Sequence, residues 1–458
     1  MKVVICGAGQ VGTSIARYLA TESNSVTVID QSPELVQRIS DALDVQAVVG
    51  HASHPATLEE AGIADADMLI AVTHADEVNM IACQVAHTLF NVPTKIARVR
   101  AQGYLLPQWR PLFASDRLAI DVIISPELEV AHAIWQRLEV PGAFDVITMA
   151  DGMVRVVGVR CLADCPIVNT PLRQLTGIFP DLNIVIVGII RDGKPVIPDS
   201  DDLMLAGDEV YFVADTRHVT RAMMAFGHEE QPGRSLVIVG GGNIGLYLAK
   251  EIEEKLHGVS IKLIELDKAR ANDICQRLGR TVVLNGDGLD TEVLEEAGVK
   301  TTETYIAVTD DDEVNIISSI LAKRLGADRV VTLINKPTYE PLFSNLGIDA
   351  VVNPRTITVS TILQHVRRGR ISAVHSLREG FGEIIEAEAM ETSTLVGKPL
   401  REVDLPDGIL IGAIVRGQTV IIPRGATVIK PDDKVILMAG PGAVRKVEKM
   451  FAVRLEYF

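Results

Sequence analysis

The sequence is poor in cysteine, and this limits the chemistry and the compartment expected of it. Its 458 residues include five cysteines, too few for a disulfide framework in a chain of this length. Cys161 and Cys165 have a C-x-x-x-C spacing, but no second cysteine pair accompanies them as in a zinc site. We therefore expect ordinary thiols, no bound metal and a reducing cytoplasmic compartment.

Long apolar runs and an excess of positive charge are also missing. The longest runs, such as 184–190, are far shorter than the roughly 20 residues that a membrane-spanning helix needs. The N-terminus lacks the basic and apolar regions of a secretory signal. The formal net charge of −16 disfavours nucleic acid and anionic lipid, which both attract basic surfaces. The composition thus predicts no direct membrane insertion and no nucleic-acid partner.

Aromatic residues are scarce as well, at 4% of the chain, whereas hydrophobic residues make up 47%. The cores should therefore be aliphatic, as they are in parallel sheets covered by helices on both faces. A chain of this length is expected to form about three or four domains.

The most informative pattern lies in the first thirty residues. A short apolar run leads into Gly7-Ala8-Gly9-Gln10-Val11-Gly12, and a second apolar run ends on Asp30. This order predicts a strand, a glycine turn, a helix and a second strand with a carboxylate at its tip. In such a unit Gly7 permits the tight turn, Gly9 lets a diphosphate approach the backbone, and Gly12 lets the helix pack closely on the strand.

The position of Asp30 selects among nucleotides. It lies 18 positions after Gly12 (30 − 12), where a carboxylate accepts hydrogen bonds from an adenosine ribose. The N–H groups of the helix N-terminus are available to phosphates. Because a 2′-phosphate would be repelled by Asp30, the pattern predicts NAD or another unphosphorylated adenine nucleotide rather than NADP.

Alternating strands and helices continue after this unit. Apolar runs at 45–50, 67–73 and 95–100 predict further strands, and residues 77–90 predict a helix between the last two. This alternation is typical of a doubly wound parallel sheet.

The second half of the chain repeats the first. The glycine turn returns as Gly240-Gly241-Gly242-Asn243-Ile244-Gly245, 233 positions on (240 − 7), and a later apolar run ends on Glu265. Residues 70–79 return at 306–315, displaced by 236 (306 − 70). Downstream of each sheet, Asp192-Gly193 and Gly417 separate apolar runs, as in a β-hairpin.

The repeat defines the expected fold class and domains. We predict an α/β protein with two tandem Rossmann-like doubly wound parallel-sheet domains, each followed by a small α+β strand-rich domain. The predicted boundaries are 1–140 for the first nucleotide-binding N-domain, 141–230 for the first C-domain, 231–370 for the second N-domain and 371–458 for the second C-domain.

Taken together, the duplicated glycine turns, the strand-rich segments and the motifs Gly50-His51-Ala52-Ser53-His54-Pro55 and Asp76-Glu77-x-Asn79 resemble a known family. That family comprises the cytoplasmic regulatory subunits of Trk potassium uptake systems, which are built from two domains that regulate potassium conductance. The resemblance covers essentially the whole chain. It implies a peripheral protein on the cytoplasmic face of the inner (plasma) membrane that binds NAD(H), and in some members ATP or ADP. It also implies a ring, usually a homotetramer, beneath a separate potassium-translocating membrane subunit.

By position, the resemblance implies a set of first-domain nucleotide contacts, namely Gly7, Ala8, Gly9, Gln10, Val11, Asp30, Thr73, His74 and Arg98. The residue types agree with this set. Thr73 is expected to end a strand at the edge where ligands bind in open α/β sheets, and Arg98 either faces a phosphate or is a solvated strand-end arginine. Gly50 and His51 are assigned to a loop lining the adenine pocket, because no third ligand completes a metal site with His51 and His54.

The second turn differs from the first. Glu265 replaces Asp30, Asp310 replaces His74, and Leu333 aligns with Arg98, so the second pocket is more electronegative and should hold a polyphosphate less well unless a cation intervenes. Whether a nucleotide occupies the second pocket is left open. The candidate contacts are Gly240, Gly242, Asn243, Ile244, Glu265, Asp287 and Thr309.

A nucleotide bound at these turns serves either as a reactant or as a signal. Hydride transfer needs an acid or base beside the nicotinamide and a substrate pocket, and the strand-rich segments hold no recognisable set of His, Lys and Cys. We therefore predict no catalytic residues and a regulatory, nucleotide-controlled protein. An NAD-dependent oxidoreductase and a free-standing nucleotide sensor are the alternatives.

Overall fold

The computed structural model describes residues 1–21, 24–114, 116–179, 182–230, 233–336, 338–339, 343–366, 371–377 and 381–451. These residues form two compact units. The first contains Met1–Glu129 and Arg355–Val366, and the second contains Val130–Pro354 with the described residues after position 370. The predicted boundaries at 230/231 and 370/371 adjoin residues outside the described ranges, and the domain limits remain predictions.

The first unit is built on a parallel sheet with the strand order β3-β2-β1-β4-β5-β6. The order reverses between β1 and β4, which creates the crevice where open α/β sheets bind ligands. The strands are β1 (Lys2–Cys6), β2 (Ser25–Asp30), β3 (Gln46–Val49), β4 (Met68–Ala71), β5 (Thr94–Arg98) and β6 (Val122–Ile124). The helices are α1 (Gln10–Thr21), α2 (Pro33–Ala42), α3 (Pro55–Glu60), α4 (Asp76–Phe90), α5 (Gln102–Leu105) and α6 (Pro126–Glu139), of which α6 continues into the second unit.

Two predicted strands end earlier than expected. Strand β4 ends at Ala71, not at Thr73, because the Thr73 N–H donates to the side chain of Asn79 at 2.8 Å and not to a neighbouring strand. Strand β5 likewise ends at Arg98. The N–H of Arg100, two residues further on, donates to the Asp76 carboxylate at 2.9 Å and not to a neighbouring strand. Side chains therefore replace the strand ladder at this edge of the sheet.

One helix of the first unit comes from the second half of the sequence. Helix α14 (Pro354–Val366) follows the second parallel sheet in the chain, but its apolar face completes the core of the first unit. Ile362 and Leu363 are fully buried there, in one cluster with Val3 and Ile15. The first sheet is thus covered on one face by a segment distant in sequence.

The second parallel sheet repeats the first, with the strand order β14-β13-β12-β15-β16-β17. The prediction of two tandem doubly wound domains is confirmed. The strands are β12 (Ser235–Val239), β13 (Ser260–Glu265), β14 (Val282–Asn285), β15 (Thr304–Ala307), β16 (Arg329–Leu333) and β17 (Ala350–Val352). The helices between them are α9 (Asn243–Lys255), α10 (Lys268–Arg277), α11 (Thr291–Glu296), α12 (Asp312–Leu325) and α13 (Phe343–Leu346).

Helix α6 contacts this second parallel-sheet domain. The Lys255 ammonium lies 5.0 Å from the centre of the Trp135 ring, and His132 Nδ1 lies 3.0 Å from a carboxylate oxygen of Glu251 on α9. Helices α6 and α14 hold equivalent places in the repeat. Helix α14 packs into the core of the first parallel-sheet domain, and α6 contacts helix α9 of the second.

Each parallel sheet is followed by an antiparallel one, with the orders β10-β9-β11-β8-β7 and β18-β19-β22-β20-β21. The first contains β7 (Ala143–Met149), β8 (Val154–Arg160), β9 (Ile184–Arg191), β10 (Lys194–Val196) and β11 (Glu209–Asp215), with helices α7 (Leu172–Ile178) and α8 (Val219–Ala225). The second contains β18 (Ile371–Ser376), β19 (Glu383–Glu388), β20 (Ile409–Arg416), β21 (Thr419–Ile421) and β22 (Lys434–Ala439), with helix α15 (Val444–Phe451).

The predicted hairpins are confirmed, and each is anchored by an ion pair that the hairpin signal does not reveal. Strands β9 and β10 pair across Asp192-Gly193, and β20 and β21 pair across Gly417. In each hairpin the arginine that ends the first strand makes two hydrogen bonds to a buried aspartate. The pairs are Arg191 with Asp208, at 3.0 and 2.7 Å, and Arg416 with Asp433, at 2.8 and 2.7 Å.

The two antiparallel sheets share a core within the second unit. Phe381 and Tyr211 are almost fully buried there, with ring centres 5.8 Å apart. A Cβ at Gly188 would lie 2.2 Å from the Phe381 ring, so only glycine leaves room for this contact. The two strand-rich segments therefore pack against each other directly.

None of the helices in the described ranges is both long and apolar enough to cross a bilayer.

Candidate functional site

The first candidate site is the turn between β1 and α1, at the point where the strand order reverses. Gly7 adopts a φ of +111°, and its N–H donates to the carbonyl of Ile29 at 2.7 Å. A Cβ there would lie 3.0 Å from the carbonyl oxygen of Val72. Glycine is therefore needed at this position both for the backbone conformation and for the close approach of the segment after β4.

The other two glycines of the turn have opposite surroundings. A Cβ at Gly12 would overlap the carbonyl oxygen of Gly7 at 1.8 Å and lie 3.6 Å from Ile5, so the closest approach is to the turn and not to the strand. A Cβ at Gly9 would meet no protein atom within 4 Å. Gly12 is thus required by packing, whereas Gly9 borders open space.

Asp30 ties the turn to the tip of β2. One oxygen of its half-buried carboxylate accepts the N–H of Ala8 at 2.7 Å, and the other accepts the N–H of Ser32 at 2.9 Å. A carboxylate can accept about four hydrogen bonds, so these two leave acceptor capacity for a ligand hydroxyl. The hydroxyl of Ser32 in turn accepts the N–H of Leu35 and caps α2.

Thr73 and Arg98 are brought together by a buried asparagine. The side-chain oxygen of Asn79 accepts the N–H and the hydroxyl of Thr73 at 2.8 and 2.7 Å, and its amide donates to the carbonyl of Arg98 at 2.9 Å. Asn79 is fully buried. It therefore cross-links the carboxyl ends of β4 and β5, beside the glycine turn.

The guanidinium of Arg98 folds back over this edge. Its Nη2 donates to the carbonyl of Thr73 at 2.7 Å, and within the described residues its buried Nε has no partner. Burial, and secondarily the nearby Arg100, lower the pKa of Arg98 below its usual value. Arg100 itself pairs with the carboxylate of Glu127 at 2.6 Å. This edge of the first sheet thus carries two arginines.

The remaining first-site candidates surround the turn. Gln10 is exposed and Val11 is half-buried at the start of α1, and His74 is exposed beyond β4. Gly50 follows β3, where its N–H donates to the Asp30 carbonyl at 2.9 Å. His51 comes next and is half-buried. Its ring stacks on that of His54, with the ring centres 4.7 Å apart.

The second turn, between β12 and α9, reproduces this geometry. Gly240 has a φ of +104°, a Cβ at Gly245 would lie 2.0 Å from the Gly240 carbonyl oxygen, and a Cβ at Gly242 would meet nothing within 4 Å. Glu265 accepts the N–H of Gly241 at 2.7 Å. The half-buried Asn243 and Ile244 begin α9.

The edge of the second sheet confirms the alignment of Leu333 with Arg98. Asn315 accepts the N–H and the hydroxyl of Thr309 at 2.9 and 2.7 Å and donates to the carbonyl of Leu333 at 3.0 Å, as Asn79 does in the first half. Leu333 is buried and brings no charge to this edge. The exposed Asp310 follows Thr309 directly.

Asp287 lies at the remaining candidate position of the second site. It is exposed in the loop after β14, and its carboxylate accepts the N–H of Leu289 at 2.9 Å. It follows Gly286, whose N–H donates to the Glu265 carbonyl at 3.0 Å, as that of Gly50 does to Asp30.

Arg270 lies at the second candidate site, although the sequence pattern did not single it out. Its Nε donates to the carbonyl of Gly241 at 2.8 Å, so its guanidinium lies against the second glycine turn. The sequence repeat contains a signal that identifies the position of Arg270. Asp267 caps α10 by accepting the Arg270 N–H, as Ser32 accepts the N–H of Leu35, and this places Arg270 at the position of Leu35.

No side-chain cluster among the described residues has the composition of a metal site, counting groups of three or more His, Cys, Asp or Glu. Cys161 and Cys165 are both buried in the core of the first antiparallel sheet. A side-chain hydrogen bond between Cys161 and Cys165 raises the pKa of Cys161 and lowers the pKa of Cys165.

Two domain families match the chain, and each matches twice. The TrkA-N domain matches residues 3–126 and 236–354, and the TrkA-C domain matches residues 156–227 and 384–452. The matched segments alternate along the chain, as the two kinds of sheet do.

Curated relatives match over the full length. The chain is 54% identical over 458 residues to the Trk system potassium uptake protein TrkA of Azorhizobium caulinodans, covering 100% of both chains. It is 44% identical over 462 residues to the protein of the same name from Halomonas elongata, again covering 100% of both. It is 41% identical over 455 residues to that of Vibrio alginolyticus, covering 98% of each.

Solved structures share the fold. The GsuK RCK domain superposes with a TM-score of 0.60 at 18% identity, covering 99% of this chain and 95% of that one. A GsuK channel bound to NAD also gives a TM-score of 0.60, at 17% identity, covering 99% of this chain and 79% of that one. At these identities the likeness establishes the fold alone.

Proposed function

Because this chain belongs to the family of Trk system potassium uptake proteins TrkA, we propose that it is a regulatory subunit of potassium uptake that binds NAD(H) or another adenine nucleotide at its glycine turns. In this proposal it is peripheral to the cytoplasmic face of the membrane and forms a homo-oligomer, a tetrameric ring. It controls a separate potassium-translocating membrane subunit.

The observation that carries the proposal is the open space in front of Gly9 and Gly242. No protein atom lies within 4 Å of a Cβ built at either glycine, and neither has a positive φ. The fold itself would therefore accept alanine at both positions, and the glycines are explained by a ligand that approaches the backbone. A diphosphate on the helix N-terminus is the ligand that glycine turns of this kind accommodate.

The carboxylates beside the turns support an unphosphorylated ribose. Asp30 and Glu265 each retain acceptor capacity after their two backbone hydrogen bonds. A ribose hydroxyl can donate to them, whereas the 2′-phosphate of NADP would be repelled. NAD(H), ATP and ADP share this unphosphorylated adenosine, so all three fit at this end of the pocket.

The first-site residues have separate roles in this proposal. The N–H groups near Gly9, Gln10 and Val11 bind the diphosphate, and Asp30 binds the ribose. The remaining contacts line the pocket around the turn and are Gly7, Ala8, Gly12, Gly50, His51, Thr73, His74 and Arg98. The second-site counterparts are Gly240, Gly242, Asn243, Ile244, Glu265, Asp287 and Thr309.

The nucleotide acts as a signal and no residue is assigned a catalytic role. A ligand shifts a conformational equilibrium only by its difference in affinity for the two conformations. A coupling free energy of about 1–3 kcal/mol changes the balance about 5- to 150-fold. Such a coupling is sufficient to control the transport rate of a membrane partner without any chemical step on the nucleotide.

Replacing Gly9 with alanine tests the proposal. We expect Gly9→Ala to weaken NADH binding to the first site by about tenfold or more, because the methyl group occupies the space of the diphosphate. The melting temperature should stay unchanged. Gly103→Ala is the matched control, since a Cβ at Gly103 also meets nothing within 4 Å and Gly103 belongs to α5, not to the glycine turn. Calorimetric titration of the full chain measures both affinity and stoichiometry.

Two results would contradict the proposal. If Gly9→Ala and Gly103→Ala bind NADH as tightly as the unchanged chain, the space at Gly9 does not hold the diphosphate. If the protein does not co-purify with a potassium-transporting membrane protein when both are expressed, a free-standing nucleotide sensor replaces the regulatory subunit.

A further inference from the structure

The two halves differ in charge at the carboxyl ends of the strands that lie beside each glycine turn. In the first half, Arg98 ends β5 and Arg100 follows it, so two guanidinium groups lie at this edge, that of Arg100 paired with Glu127. In the second half the same positions hold Leu333, which is buried, and Asn335, whose amide donates to the carboxylate of Asp312. The second edge has therefore lost both arginines, and the ammonium of the next residue, Lys336, is paired with Glu313 at 2.8 Å.

The next loop adds negative charge to the same edge. His74 follows Thr73 in the first half, and the exposed Asp310 follows Thr309 in the second. Asp311 comes next and caps α12 by accepting the N–H of Val314 at 2.9 Å. Two carboxylates thus lie where the first half has an imidazole and an alanine.

At the opposite, adenosine end, the second site has an arginine. The Nε of Arg270 donates to the carbonyl of Gly241, and Glu265 accepts the N–H of the same residue. Arg270 also pairs with Asp273 at 3.0 Å, which holds its guanidinium across the turn. The equivalent first-half residue is Leu35, so only the second turn has an arginine here.

An apolar side chain accompanies this arginine. Leu266, directly after Glu265, is 70% exposed, although it is a large hydrophobic residue. The equivalent residue after Asp30 is Gln31, which is polar. Leu266 follows the acid that bonds Gly241, and Arg270 bonds the carbonyl of Gly241, so this end of the turn has both an apolar and a cationic side chain, which suits the face of an adenine ring.

The direction in which a nucleotide lies across such a turn is set by the fold. The ribose of the adenosine binds the carboxylate at the tip of the second strand, and the diphosphate crosses the glycine turn. The remainder of the ligand extends towards the strand ends on the other side. That remainder is a charged γ-phosphate in ATP and an uncharged or singly charged nicotinamide riboside in NAD(H).

We propose that the second glycine turn is a dinucleotide-selective site, in which Arg270 and Leu266 bind the adenosine end of NAD(H) while Asp310 and the missing arginines reject ATP. The first turn, with Arg98 and Arg100 at the strand ends, accepts either ligand. This inference rests on the proposed nucleotide binding and adds a difference in ligand preference between the two halves.

The test isolates each site in the full chain. Gly9→Ala weakens binding at the first turn and leaves the second unchanged, and Gly242→Ala does the reverse. Each single-site protein is titrated with NADH and with ATP at low salt, with EDTA present so that ATP keeps its full charge. We expect the second site to bind NADH at least about tenfold more tightly than ATP, and the first site to differ by less.

A change of charge at an exposed position then tests the cause of the ligand selectivity. In the Gly9→Ala background, Asp310→Lys should tighten ATP binding by about tenfold or more and change NADH binding by less than about threefold. Glu391→Lys is the matched control, because it makes the same charge change at an exposed position in the second antiparallel-sheet segment. Arg270→Leu, which installs the first-half residue, should weaken NADH binding at the second site alone.

The outcomes separate this inference from the proposed function. If the second site binds NADH and ATP equally and Asp310→Lys has no larger effect than Glu391→Lys, the selectivity is wrong while nucleotide binding stands. If Arg270→Leu leaves NADH affinity unchanged, the role of Arg270 is wrong. If the Gly9→Ala protein binds neither nucleotide, the second turn is not a binding site, and both statements fail for it.

Discussion

Glu265 occupies part of the space that an alanine methyl group would need at Gly241. A Cβ at Gly241 would lie 2.7 Å from a carboxylate oxygen of Glu265 and 2.3 Å from Ile274. The first half holds Ala8 and Asp30 at these positions, where the acid is one methylene shorter. In both halves the carboxylate accepts the N–H of the smaller residue at 2.7 Å. The two pairs are therefore alternative solutions to one packing problem.

We expect Gly241→Ala to destabilise the protein by about 1–3 kcal/mol, because it overpacks the turn. The double variant Gly241→Ala/Glu265→Asp recreates the pair of the first half and should recover the part of this loss that comes from Glu265, while the contact with Ile274 remains. Urea unfolding of the two single variants and the double variant measures the coupling. Additive effects, with no recovery in the double variant, would refute the compensation.

Asn79 should be among the most sensitive positions of the first unit. Asn79→Ala leaves the N–H of Thr73 and the carbonyl of Arg98 without their buried partner, at an expected cost of about 2–4 kcal/mol. It should also weaken nucleotide binding, since it releases the edge beside the glycine turn. Gln37→Ala is the control, because the Gln37 amide makes an exposed hydrogen bond to Asp41. Similar small effects of both substitutions on the urea midpoint would contradict the role of Asn79.

The shared core of the antiparallel sheets predicts a second compensating pair. Gly188→Ala places a methyl group 2.2 Å from the ring of Phe381 and should cost about 1–3 kcal/mol. Adding Phe381→Leu removes the clashing atoms, so the double variant should be more stable than additivity predicts. Gly177→Ala, at a position where a Cβ meets nothing within 4 Å, should be neutral in thermal unfolding. Equal effects at the two glycines would exclude the contact.

The pH dependence of stability should contain a contribution from Glu253. Burial raises its pKa, but hydrogen bonds from the N–H groups of Gly279 and Arg280, and from Thr281, outweigh burial and hold the pKa below its usual value of 4.5. A carboxylate with a lowered pKa stabilises the folded state above its unfolded pKa, and this stabilisation is lost as the pH falls through the folded pKa.

Glu253→Gln should therefore be less stable than the unchanged protein at neutral pH, with a difference that shrinks below about pH 4.5. Thermal unfolding between neutral and acidic pH measures it. Gln37→Ala is again a suitable control, since it removes no titrating group. A difference that stays constant across this pH range would show that the carboxylate charge is not involved.

Local sequence signals were sufficient for the two turns and their acids. Gly7 and Gly240 need positive φ, and Asp30 and Glu265 end strands, so both features follow from short-range geometry. The alignment of Leu333 with Arg98 also followed from the sequence repeat. What the pattern could not supply was the exact strand end at Ala71, because the amide beyond it is taken by a side chain from the next helix.

Arg270 illustrates a contact that required coordinates. Its place on α10 is predictable from the cap at Asp267, but its bond to the Gly241 carbonyl depends on the packing of α10 against the turn. The same holds for the two arginine–aspartate pairs of the hairpins. Their residues are 17 positions apart, beyond the reach of any helix or strand periodicity.

The sequence by itself determined the class of each segment and the duplication, because hydrophobic period, glycine placement and strand-end acids act over a few residues. Only the tertiary structure decided which surfaces meet. Helix α14 completes the core of the first unit and α6 packs on α9, although both follow their own sheets in the chain. The periodicity of a helix shows that it has an apolar face but does not identify the surface that this face packs against. Its partner is selected by shape and buried area between residues distant in sequence.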